Sequence, residues 1–137
     1  MTQAQTVNKY NVRAFTPEDH KTAAGWWMAQ KWPVIPMDLL PTGIVVEYEG
    51  APIAMGWLYK SNSKMAYMEW LVADPTADKT VKGTCLDILV QAIISEAKKD
   101  GYTTIFTNTS HPKLIERYTS MGFKVTEGNM TNLVRRI

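Results

Sequence analysis

The chain has 137 residues, 45% hydrophobic and 20% charged, with a formal net charge of +2, one cysteine and two histidines. That size and balance fit one globular domain, read here as spanning 1–137. The charge is too small for a nucleic-acid binder, a lone Cys85 excludes an internal disulfide, and His20 and His111 leave little from which to build a metal site. No apolar run approaches the roughly 20 residues of a membrane helix. The polar start MTQAQTVNKY lacks the apolar stretch of a secretion signal, so a cytoplasmic protein is expected.

Residues 1–9 read as a loose tail, and the alternation of Tyr10–Phe15 predicts a short strand. Thr16-Pro17-Glu18-Asp19 predicts a helix start, with Thr16 as cap, Pro17 at the first position and two acids on the dipole. That helix should run to about Lys31, carrying Ala23, Trp26, Trp27 and Gln30 at helical spacing. Pro33 and Pro36 forbid a regular helix over 32–41. Such an apolar loop either packs on the core or lines a cleft. Strands are predicted over 43–49, 52–59 and 65–73, and their short connections make them antiparallel neighbours.

The pattern then changes. Leu86, Leu89, Val90, Ile93, Ile94 and Ala97 form the stripe of an amphipathic helix over Cys85–Lys99, with Gly101 as its C′ residue. Tyr102–Phe106 predicts a strand and 112–121 a helix closed by Gly122. Residues 123–127 and 130–137 predict a hairpin about Gly128-Asn129. The order β-α-loop-βββ-α-β-α-ββ describes a mixed α/β (α+β) domain, with helices on a mainly antiparallel sheet.

The joint DKTVKGTCLDIL carries Lys79 and Lys82 and one glycine, Gly83, before the long helix. A strand, a glycine-containing loop and a helix N-terminus form an arrangement that binds phosphate through backbone N–H groups. On these residues alone, a plain loop with solvated lysines is the reading favoured over a phosphate site.

The stretch 66–123 resembles the coenzyme-binding core of the GNAT superfamily, the acetyl-CoA-dependent N-acetyltransferases. Thr80-Val81-Lys82-Gly83-Thr84-Cys85, followed by Ile88-Leu89, stands at the family's Arg/Gln-x-x-Gly-x-Gly/Ala loop and apolar pair. Thr80 and Cys85 depart from that pattern. His111-Pro-Lys-Leu114-Ile-Glu-Arg-Tyr118-Thr-Ser-Met-Gly122-Phe123 keeps the Tyr, Gly and Phe of its last helix, and Val12–Asp19 is similar to its opening.

The resemblance implies acetyl transfer to a primary amine of a small molecule or peptide, with acetyl-CoA as co-substrate and no metal. The coenzyme's diphosphate would lie on Lys82, Gly83, Thr84 and Cys85, with Lys79 and Thr80 nearby. Its pantetheine arm would run beside Leu71, Val72 and Ala73, with Asn108 and His111 in reach. Tyr118 is implied as the acid for the departing thiolate, although Leu114, Tyr118 and Met121 share one helical face and fit a core role equally. Glu69 interrupts an apolar strand and is the candidate base; Glu47 and Glu49 are the fallback. Trp27, Trp32 and Glu47 are candidates for the acceptor cleft. The rival expectation is a catalytically silent acyl-CoA-binding or protein-interaction module on the same fold. A partner nucleic acid or membrane is not expected; exposed strand edges make a homodimer a further expectation.

Overall fold

The computed structural model describes residues 9–137, so nearly all of the expected tail lies outside the described residues. One compact unit ends at Thr107, and residues 108–137 form a second.

The first unit contains a five-stranded sheet in the order β1-β2-β3-β4-β5. Its strands are β1 Tyr10–Ala14, β2 Thr42–Tyr48, β3 Ala51–Tyr59, β4 Met65–Ala73 and β5 Thr104–Phe106. The first four are antiparallel neighbours; short turns require this of β2, β3 and β4, whereas β1 reaches β2 through α1 and the loop after it. β5 is parallel to β4, because helix α2 (Lys79–Lys99) lies between them in the chain. The expected mixed α/β architecture with a mainly antiparallel sheet is therefore present.

Two helices cover the sheet. The expected first helix is split into a 3₁₀ turn, Pro17–Asp19, and α1, His20–Ala29. Asp19 is the reason the entry holds: its buried carboxylate accepts from Thr16 N at 2.9 Å, Thr16 Oγ1 at 3.0 Å and both Arg13 terminal nitrogens at 2.8 Å. α1 buries Ala23, Trp26 and Trp27 against Val45, Met55, Trp57 and Val72. α2 buries Cys85, Leu86, Leu89, Val90, Ile93 and Ala97 and packs across β3 and β2. No helix among the described residues is long and apolar enough to cross a membrane.

In the second unit, α3 spans Pro112–Ser120. It ends as the sequence predicts, with Gly122 in the left-handed region at φ 99°. Gly122 N donates to Thr119 O at 3.2 Å and Phe123 N to Tyr118 O at 3.0 Å, a Schellman closure. The hairpin expected over 123–137 does not form, and those residues are irregular. Asn129 does adopt the left-handed turn conformation, φ 56°. The flanking Val125, Met130, Leu133 and Val134 are all exposed, and a two-stranded hairpin without a face to pack on is marginal in water.

Candidate active site

The site is built on β4. β5 accompanies β4 only through Met65↔Thr104, Ala66↔Ile105 and Tyr67↔Phe106. Thr107 Oγ1 then caps Met68 O at 2.5 Å. Beyond that point, among the described residues, no strand pairs with Glu69–Ala73 on the β5 side. This stretch, which contains the predicted Leu71, Val72 and Ala73, presents main-chain donors and acceptors at a fork in the sheet.

The fork coincides with a bulge. Between Met55↔Val72 and Trp57↔Glu69, β3 advances two residues while β4 advances three. Trp70 and Leu71 together oppose Gly56, and Trp70 takes φ 66°. Only glycine fits at 56, because a Cβ there would lie 2.8 Å from Leu71 Cγ and Cδ1. A left-handed tryptophan is a strained residue, costing on the order of 1–3 kcal/mol, and persists only where its surroundings hold it. Here Trp27 Nε1 donates to Trp70 O at 3.1 Å, and Trp70 Nε1 donates to the Tyr59 hydroxyl at 2.9 Å. That hydroxyl donates in turn to Leu39 O at 2.8 Å.

Glu69 is the last residue of the regular register before the bulge. Directly paired residues share a sheet face, so Glu69 stands with Trp57 on the side covered by α1. Its carboxylate is close enough to act on Tyr59. Burial pushes the Tyr59 hydroxyl above its ordinary value, the Trp70 N–H works against that, and the Glu69 charge adds to it.

The loop 30–41 is fixed to the same face. α1 closes with Lys31 N on Met28 O at 3.0 Å and Trp32 N on Trp27 O at 2.9 Å. His20 Nε2 lies 2.7 Å from Ile35 O. Trp32, Ile35 and Leu40 pack on the core cluster beside Tyr59 and Trp70. Of the two expectations for this loop, packing on the core is the one seen, with the loop beside the bulge. Trp32 is half-buried at that border. Trp27 corrects its expected role in the acceptor cleft, since it is 1% exposed and acts from within the core by holding the bulge carbonyl.

The helix end differs from expectation. α2 begins at Lys79, not Cys85, because Asp78 caps it. Asp78 Oδ2 accepts from Thr80 N at 3.0 Å and Val81 N at 3.2 Å, and Asp78 O accepts from Lys82 N at 2.8 Å. Gly83, Thr84 and Cys85 fall inside the helix rather than in a phosphate-facing loop. Cys85 is fully buried, and burial pushes its thiol up to about 11. Lys79 and Thr80 are exposed on the first turn and Lys82 is half-buried. The approach to the helix is itself ordered, with Asp74 Oδ1 accepting from Thr76 N at 2.9 Å and Thr76 Oγ1 at 2.7 Å.

Glu47 is corrected as well. Arg13 Nε donates to it at 2.9 Å and Asn11 Nδ2 at 3.0 Å, which hold its carboxyl below the ordinary value. It is an ion-pair partner of Arg13 at the β1–β2 pairing. Glu49 sits in the β2–β3 turn at φ 50° with Lys9 3.8 Å away. In the second unit, Tyr118 is 5% exposed with its ring 5.6 Å from that of Phe123. Asn108 Nδ2 donates to Asn132 Oδ1 at 3.2 Å, and His111 precedes Pro112 at the start of α3, with its N–H on Thr109 Oγ1 at 3.1 Å.

Sequence reasoning missed Trp70, Tyr59 and Asp78. Asp78 carried a readable signal, an Asp immediately before the first helical turn. A bulge that places a tryptophan in the left-handed region leaves no local sequence mark.

No protein-family model and no curated protein matches the sequence. Solved structures do match. The N-acetylglutamate synthase of Neisseria gonorrhoeae, complexed with coenzyme A and L-arginine, superposes at TM-score 0.69 and 16% identity over 86% of this chain. This chain spans only 28% of that protein's length. Ard1 of Thermoplasma volcanium gives TM-score 0.73 at 15% identity, over 87% of this chain and 85% of that one. The ribosomal-protein-S18-alanine N-acetyltransferase of Escherichia coli gives 0.64 at 18%, over 86% and 79%. At these similarities over most of the chain, this chain has the fold of the GNAT N-acetyltransferases.

Proposed function

We propose that the protein transfers an acetyl group from acetyl-CoA to a primary amine of a small molecule or a peptide terminus. The observation that carries this reading is the fork: β5 leaves β4 at Tyr67, so Glu69–Ala73 lack a strand partner on that side beside a bulge. An amide-bearing arm such as pantetheine adds to a strand edge of this kind as a short extra strand. The fit is good along the strand and incomplete at the helix, where Asp78 already takes N–H groups that a diphosphate would use. Lys79 and Lys82 supply positive charge at that end. The fold neighbours support an amine acceptor, since one is named for N-acetylglutamate and another for a ribosomal-protein alanine.

Acetyl-CoA supplies the thioester. The amine nitrogen bonds to its carbonyl carbon as the carbon–sulfur bond breaks. Glu69, on the α1 face just before the bulge, receives the amine proton, directly or through one water. Backbone N–H groups along Leu71–Ala73 stabilise the developing oxyanion. Tyr118 donates the proton that the thiolate needs, a role proposed from its spacing to Gly122-Phe123. The same spacing also serves the closure of α3, so function and folding ask for the same residues here.

The Asp78 cap favours a second reading, a silent acyl-CoA-binding or interaction module. Calorimetry with acetyl-CoA decides first: absence of binding at millimolar ligand removes both readings. Thiol release with a panel of amines then separates enzyme from module. Tyr118→Phe keeps the ring contact with Phe123, so stability should hold while turnover falls about 10- to 100-fold. Unchanged turnover would remove Tyr118 from the mechanism.

A further inference from the structure

Trp70, the left-handed residue of the bulge, is held from two sides. From the core, Trp27 Nε1 donates to its carbonyl at 3.1 Å. From β3, the Tyr59 hydroxyl accepts its indole N–H at 2.9 Å. The two bonds fix the main chain and the side chain of a residue whose backbone alone favours another conformation. Released from them, Trp70 would relax toward the extended region and carry its indole away from Tyr59. The bulge thus has a second arrangement within reach, and its neighbours select between the two.

The same hydroxyl reaches the loop. Having accepted from Trp70, it donates its own proton to Leu39 O at 2.8 Å. Burial raises its pKa above the ordinary value, so it keeps that proton near neutrality. Leu39 ends the 3₁₀ turn Met37–Leu39 and is 48% exposed. Its side chain contributes little burial, and its carbonyl is the point at which this turn is bonded to β3. His20 Nε2 at Ile35 O and Trp32 N on Trp27 O tie the loop to α1. The Tyr59 bond ties it to the bulge.

We infer that Tyr59 is a positioning residue that couples the coenzyme strand to the loop 30–41. An arm laid along Leu71–Ala73 fixes the bulge next to it, the bulge fixes the Trp70 indole, and Tyr59 passes that order to Leu39. The inference rests on the acetyltransferase reading, in which the amine approaches on the α1 face, where the loop packs. Coenzyme arriving first prepares the loop for the acceptor, and the coupling is reciprocal.

Hydrogen exchange of the full chain, read by mass spectrometry with and without millimolar acetyl-CoA, tests this. Acetyl-CoA should slow the amides of Leu71–Ala73 and also those of 34–40, the latter about fivefold. Tyr59→Phe keeps the ring and loses only the hydroxyl. In that variant the coenzyme should still protect Leu71–Ala73, while the loop exchanges at one rate with or without it. His20→Ala cuts the tie to Ile35 and leaves the bond to Trp70. It should speed loop exchange throughout and retain the effect of the coenzyme, which separates coupling from loosening. Loop protection that survives Tyr59→Phe, or a coenzyme effect lost in His20→Ala as well, overturns the inference. So does an unmodified protein in which Leu71–Ala73 are protected and the loop is not. Absence of protection at both segments removes the coenzyme reading and the inference with it.

Discussion

Two neighbouring stretches of the first unit differ in how much of their backbone the protein satisfies by itself. β4 past Tyr67 has no strand partner on the β5 side among the described residues, and it contains a left-handed tryptophan. A few residues later, the α2 N-terminus is an ordinary self-capped helix, with Asp78 on Thr80 N, Val81 N and Lys82 N. A coenzyme that uses both stretches finds the first prepared and the second occupied by a carboxylate. The lesson is that the two halves of a binding site need not be equally preorganised. The strand half carries the strained residue, Trp70.

The sharpest way to break that contrast is Glu69→Gln. The amide cannot take the amine proton, so turnover should fall about 100-fold or more, with coenzyme affinity unchanged. Steady-state rates at saturating acetyl-CoA check it. A variant within a few-fold of the unmodified rate would mean that β4 supplies the binding surface and the base lies elsewhere.

Gly56→Ala tests the bulge from the opposite strand. The added Cβ would lie 2.8 Å from Leu71 Cγ and 3.1 Å from Ile93 Cδ1, both in a packed core. Leu71 must move, and overpacking of this kind costs about 1–3 kcal/mol. A thermal melt should register the loss. An unaltered melt would show that the bulge can slip to accommodate a methyl group.

The entry of α1, from which Trp27 reaches the bulge, gives a pH test. Arg13, and secondarily Thr16, hold the Asp19 carboxyl at about 2 against an ordinary 3.8. A depressed carboxylate contributes stability that is fully present above its unfolded value and lost as pH falls through the folded one. Stability should therefore drop between about pH 4 and pH 2, by on the order of 1–2 kcal/mol from this group. Asp19→Asn should lower stability at neutral pH and flatten that acid limb, as read by denaturant titration at several pH values. An acid limb unchanged by the substitution would assign the loss to other carboxylates.

Much of the architecture was legible because it depends on short-range patterns. The meander follows from three alternating strands with short turns, and α2 from its apolar stripe. The Tyr118…Gly122-Phe123 spacing was legible twice over, as a family resemblance and as a helix closure. The site was less legible. Glu69 stood out as a charge in an apolar strand, and its pairing with Trp57 gives that charge a face. The partners of Trp27 and Glu47 were not legible because burial and ion pairing depend on residues distant in the chain: Trp70 for one, Arg13 for the other. The C-terminal hairpin failed for a similar reason, since its alternation is real but nothing covers its apolar residues.

Asp78→Ala has the smallest expected effect on the fold and bears most directly on the contrast between strand and helix. Removing an N-cap carboxylate costs about 1 kcal/mol of helix stability. For coenzyme affinity the sign is opposite. The substitution frees Thr80 N and Val81 N and removes a negative charge from the place where a diphosphate would approach Lys79 and Lys82. A single exposed charge near an anion is worth about 1 kcal/mol in water, so affinity should rise several-fold, and more at low salt. Calorimetry with acetyl-CoA at two ionic strengths reads both the gain and its screening. A loss of affinity would mean that Asp78 helps to order the helix end for the coenzyme. The α2 N-terminus would then be a prepared surface, and the contrast with β4 would disappear.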